Sequence, residues 1–116
     1  MKTYIIKESI TLARLREIAQ EGFGDIVKAV VDIEQDIMAL SGELHIDEEV
    51  KLIEEEGTKK ENAWGVNIYP DGKGDDFIEF DSMINLKPAS GNRTRNIENL
   101  EIRQKIKNIV RDLIKE

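Results

Sequence analysis

From Trp64 to Ile68 every second residue is apolar, and this alternation constrains the fold more than any other feature of the chain. Successive strand side chains point to opposite faces, so Trp64, Val66 and Ile68 share one side while Asn67 and Tyr69 share the other. The same period recurs further on, with Ile78, Phe80, Ser82, Ile84 and Leu86 opposed to Phe77, Glu79, Asp81, Met83 and Asn85. Pro70, Asp71, Gly72 and Gly74 between the runs are turn formers, and Pro88 ends the second run because it cannot donate to a ladder. The pattern predicts a hairpin with one buried face and one unusually polar face. That polar face is either solvated surface or the floor of a site.

The remaining elements follow from caps and periodicity. Lys2 to Lys7 reads as a β-rich edge strand. Thr11 is placed to cap a helix over 12–21, in which Leu12, Leu15, Ile18 and Ala19 recur at helical spacing and which Gly22 and Gly24 end. Ile26 to Ile33 and Ile37 to Leu40 predict a hairpin, and if its second strand runs past Gly42 then His45 and Asp47 lie on the strand's polar side. Residues 47–56 favour a short helix, although Val50 and Leu52 also continue a strand alternation. Asn99 is placed to cap a last helix from about Leu100 to Ile114, with Ile102, Ile106, Ile109, Val110 and Leu113 as its buried stripe. The expected fold is α+β: one domain over 1–116, a mainly antiparallel sheet of four or five strands and two or three helices, the first and last packed on one face.

Composition narrows the chemistry. No cysteine is present, which excludes disulfides, thiolate metal sites and thiol nucleophiles, and the single histidine, His45, excludes a multi-histidine metal centre. Residues 1–86 carry 9 Lys or Arg against 20 Asp or Glu, whereas residues 87–116 carry 8 against 4. A net charge of −7 repels a phosphate backbone, so nucleic acid is not expected as a partner except through a local basic patch. No apolar run reaches membrane-spanning length and no secretion signal is evident, so a cytoplasmic protein without membrane contact is expected.

The stretches SGELHID, WGVNIYP and EFDSMINLKPASGNRTR together resemble a small uncharacterised prokaryotic family, a domain of unknown function marked by WGxNxYP and PxxGNR elements. The resemblance runs from about Val27 to the C-terminus. Ser41 stands where the family pattern has Gly, and Thr94 where it has Ser. The resemblance implies a stand-alone domain and assigns no activity.

Two groups of residues are candidates for ligand binding. Gly91 and Asn92 tolerate positive φ, so the loop over 90–95 can turn its amides inward as an anion nest, with Arg93 and Arg95 as a fork for phosphate or carboxylate. Alternatively Gly91 and Asn92 only reverse the chain, and Arg93 pairs with a carboxylate on the sheet. The second group is His45, Asn67, Tyr69, Glu79, Asp81 and Asn85, which share the polar face if both hairpins join one sheet. A histidine beside acidic residues is more often a surface or structural group than an acid–base catalyst. Arg103, Lys107, Arg111 and Lys115 line one stripe of the last helix at i, i+4 spacing. No catalytic residue, metal ligand or cofactor motif is assigned. The expected function is a small binding or regulatory module for a protein partner or small anionic ligand, with a homodimer among the expected assemblies. The alternatives are a small enzyme acting on a phosphate- or carboxylate-bearing substrate, and a nucleic-acid-associated protein using the basic stripe.

Overall fold

In a computed structural model describing Met1–Glu116, five strands form one antiparallel sheet. They are β1 (Tyr4–Ile6), β3 (Val27–Asp32), β4 (Ile37–Leu40), β5 (Ala63–Ile68) and β6 (Ile78–Glu79), in the order β1-β4-β3-β5-β6. A separate parallel pair, β2 (Ile10–Thr11) with β7 (Ile114–Lys115), ties the two ends of the chain together. The helices are α1 (Leu12–Glu21), α2 (His45–Glu56) and α3 (Leu100–Leu113). The fold class is therefore α+β, as expected.

Helices α1 and α3 begin where the caps predict. Thr11 Oγ1 accepts from Arg14 N–H, and Asn99 Oδ1 accepts from the Glu101 and Ile102 amides, satisfying donors that a helix start leaves free. Both helices pack on one face of the sheet, where Leu15, Ile18, Ile106, Val110 and Leu113 meet Val27, Ala29, Val31, Met38, Leu40, Trp64, Val66 and Ile68. Ile106 is wholly buried; replacing such a side chain with Ala costs about 2–5 kcal/mol.

The opposite face is also covered. Val30, Ile37, Ala39 and Ala63 receive Leu52 of α2. The sheet thus lies between α1 and α3 on one side and α2 on the other, and the expected polar face is mostly an interior surface.

Two expectations are corrected here. The strand predicted through Leu86 is only Ile78–Glu79; beyond it the chain makes short 3-10 turns over Met83–Asn85 and Pro88–Ser90. The fourth strand does not pass Gly42. It stops at Leu40 because Ser41 adopts φ 75°, a left-handed conformation that ends the ladder, and His45 and Asp47 consequently lie on α2. Residues 47–56 are helical, the first of the two readings.

Candidate functional site

The polar residues of β5 meet the start of α2. Asn67 Nδ2 donates to Glu79 Oε1 at 2.9 Å and to the Asp81 carbonyl at 3.2 Å, and the Tyr69 hydroxyl donates to the same Glu79 oxygen at 3.2 Å. Register explains the meeting, since Asn67 stands opposite Glu79 across the β5–β6 pair. His45 reaches down from the first turn of α2, and its Nε2 lies 2.8 Å from the Val66 carbonyl. A carbonyl only accepts, so Nε2 carries the proton. Burial lowers the His45 pKa, and the Lys28 charge adds to this, against the opposing pull of the Val66 bond and the Asp81 carboxylate. A neutral ring with an unprotonated Nδ1 results. The Tyr69 hydroxyl is shifted upward by burial and by Glu79.

Asp81 continues the chain of contacts by accepting from Arg95 Nε at 2.7 Å, an ion pair about half exposed on both sides. The carboxylate partner of the loop is thus found by Arg95, not by Arg93, whose side chain is exposed. Asn67, Tyr69, Glu79, Asp81 and Arg95 are therefore linked to one another, and His45 adjoins them through the Val66 carbonyl next to Asn67. Asn67 Oδ1 is the one amide oxygen there that is buried without a partner.

Asn85 and Asn92 hold the loop together. Asn85 Oδ1 accepts from Gly65 N–H, and its Nδ2 donates to the carbonyls of Gly65 and Arg95. Asn92 Nδ2 donates to the carbonyls of Asn85, Thr94 and Asn96, and its Oδ1 accepts from Glu98 N–H. Gly91, at φ 85°, makes the turn that lets Asn92 point inward. The amide of Arg93 is already occupied: it donates to Glu98 Oε2 at 2.7 Å, so the chain's own carboxylate sits where the nest would take an anion.

The basic stripe of α3 is partly used within the fold. Arg103 lies over the Phe80 ring, 4.9 Å from its centroid, and donates to Ile97 O; Lys107 approaches Asp75 at 3.9 Å. Arg111 and Lys115 are exposed.

A further surface went unnoticed in the sequence. An open groove of about 490 Å³ runs between α2, the 3-10 turn Lys60–Asn62 and the turns over 83–90. Its apolar lining comes from Ile46, Met83, Ile84 and Leu86, and its charged lining from Glu49, Lys60, Glu61 and Lys87. Met83 is 62% exposed, Ile46 44% and Leu86 40%. Val50, one turn beyond Ile46 on α2, is also exposed, as is Leu44 just before the helix. Burial raises the pKa of Glu49 and lowers that of Lys87, each held back by the other's charge. Lys87 also donates to the Lys60 carbonyl and lies over the Trp64 ring, 5.2 Å from its centroid. A second cavity of about 420 Å³ lies by Tyr69, Asp75, Asp76, Ile78 and Glu79. Neither cavity is lined by His45 or Arg93.

No group of three or more histidine or acidic side chains is arranged to hold a metal ion, and no helix is long and apolar enough to cross a membrane. No curated protein and no solved structure matches the chain. A family model described as "Protein of unknown function (DUF5674)" matches residues 4–113, and the chain belongs to that family.

Proposed function

We propose that the chain is a small polypeptide-binding module whose docking surface is the groove between α2 and the turns over 83–90. The observation that carries this reading is the gathering of Ile46, Met83 and Leu86, all large and all exposed, on the walls of one open groove. Single exposed apolar residues are ordinary on a protein surface, but a contiguous set rimmed by charges is typical of a protein-binding patch. The polar network offers less to a ligand. Asn85 and Asn92 direct their amides at the backbone, Arg95 is paired with Asp81, and the Arg93 amide is bonded to Glu98. The groove's exposed Lys60 and Glu61 supply the orienting charges that an apolar surface lacks.

Photo-cross-linking from a benzoylphenylalanine at position 86, in cells producing the protein, tests the groove. Covalent adducts to polypeptide from this position, and none from position 105 on α3, are expected. Absence of adducts from position 86 overturns the reading.

A further inference from the structure

The groove carries both a projection and a recess. Met83 stands out from the rim at 62% exposure, and immediately beside it lies an open volume of about 490 Å³, far larger than a methionine side chain. A projection next to a hollow in one patch is the shape that a two-fold contact needs, because an isologous interface must be complementary to itself. Its charges satisfy the same condition. Exposed Lys60 and exposed Glu61 stand side by side on the groove wall, so the patch presents both signs although the chain carries −7. A patch of one sign would repel its own copy, whereas this one lets Lys60 of each copy meet Glu61 of the other across the axis. A strongly basic or strongly acidic partner would leave one of these two charges uncompensated.

We infer that the occupant of the groove is a second copy of this chain, related by a two-fold axis, with Met83 of each protomer inserted between α2 and the 83–90 turns of its partner. This rests on the reading of the groove as a docking surface and names the partner. Apolar contact by Ile46, Met83 and Leu86 forms the centre of the contact, and Lys60 and Glu61, both exposed, flank it. Two bodies of −7 repel at long range, so added salt strengthens the dimer by screening that repulsion while leaving the apolar centre intact.

Sedimentation equilibrium from about 1 μM to about 1 mM tests the inference, with 50 and 300 mM salt compared. The wild-type chain should pass from monomer to dimer, with a tighter constant at the higher salt. The double substitution Ile46→Asp and Met83→Asp should weaken dimerisation by about a hundredfold or more. Both positions are exposed, and an acidic residue in the first turn of α2 suits the helix dipole, so an unchanged circular dichroism spectrum is expected. Lys60→Glu and Glu61→Lys should each weaken self-association, and mixing the two variants should restore a heterodimer. A wild-type monomer throughout overturns the second-copy assignment. If position 86 still cross-links to other polypeptides, the groove reading survives that result; if it gives no adducts, both fall. A dimer unaffected by the double substitution places the contact elsewhere and also overturns the inference.

Discussion

Asn85 and Gly65 exchange two hydrogen bonds, as two residues of paired strands do: Gly65 N–H donates to Asn85 Oδ1 at 2.8 Å, and Asn85 Nδ2 donates back to the Gly65 carbonyl at 2.9 Å. One side chain thus replaces a strand along the edge of β5 that β6, only two residues long, leaves uncovered. Gly65 is required for the approach, since a Cβ there would lie 2.5 Å from Ser82 Oγ.

Replacing Asn85 with Ala leaves the buried Gly65 amide and carbonyl and the Arg95 carbonyl without that partner. A loss of about 2–4 kcal/mol is expected, read by urea denaturation, together with faster hydrogen exchange at Gly65. Unchanged exchange at Gly65 would show that Asn85 does not hold this edge.

Glu48 is completely buried on the inner face of α2, and neither carboxylate oxygen has a well-formed hydrogen bond, the Gly42 and Val30 backbones lying near it without good geometry. Burial raises its pKa well above the ordinary range, against the weaker pull of Lys28 and the Gly42 and Val30 backbones. The folded state therefore holds a proton that the unfolded chain releases above about pH 4.5, and stability falls as pH rises from there through the folded pKa. Glu48→Gln should be as stable as wild type near pH 4 and more stable at pH 7, with the gap opening as pH rises. Parallel stability curves for the two proteins would contradict the assignment.

His45, one turn earlier on the same inner face of α2, responds in the opposite sense. Its lowered pKa means that its neutral form stabilises the fold above the unfolded value of about 6.5, and that this is lost as pH falls through the folded pKa. A nitrogen-15 titration should show a neutral ring with the proton on Nε2 at pH 7 and protonation only below about pH 6.5. A ring charged at pH 7 would mean that burial does not hold this imidazole neutral.

Much of this architecture was readable from local chemistry. Thr11 and Asn99 mark their helices because caps act over three residues, and the α3 stripe shows because one face alone meets the sheet. The misreadings arose where tertiary bonds replaced a local rule. Residues 80–86 alternate like a strand, yet Ser82 and Asn85 use their side chains to cap a turn and pair with β5, which alternation cannot reveal. Of the nominated polar residues, Asn67, Tyr69 and Glu79 meet because strand register brings them together, whereas Arg95 and Asp81 find one another through the loop's tertiary path. The groove was hidden for another reason. Strand alternation sets Leu86 on the apolar side and Met83 on the polar side of one run, and only the 3-10 turns over 83–90 and the placing of α2 across the second face leave them exposed beside Ile46.

Ser41 holds φ 75° at the end of β4, a conformation that glycine adopts without steric cost, and the resembling family pattern has Gly at this position. Ser41→Gly should relieve strain of about 1–2 kcal/mol, offset by about 0.5–1 kcal/mol of added flexibility in the unfolded chain. A rise in melting temperature of about 2–5 °C is expected, with none for Ser41→Ala. Equal effects of the two substitutions would show that backbone strain is not responsible.

The loop over 90–95 gives the last test. Glu98 places a carboxylate on the Arg93 amide at 2.7 Å, and the Asn92 amide oxygen holds the Glu98 backbone in the position this requires. A tethered group competes at an effective concentration on the order of millimolar or above, so free phosphate must exceed that level to displace it. Wild-type amides from Gly91 to Arg95 should therefore stay unshifted in phosphate up to roughly 10 mM. Glu98→Ala removes the internal anion while leaving the exposed Arg93 side chain and the Gly91 turn in place, so the same titration should then move the Arg93 amide. A wild-type response at low millimolar phosphate would show that the carboxylate is readily displaced and that the loop is an open anion site. Silence in both proteins would leave Gly91 and Asn92 with the single task of reversing the chain before α3.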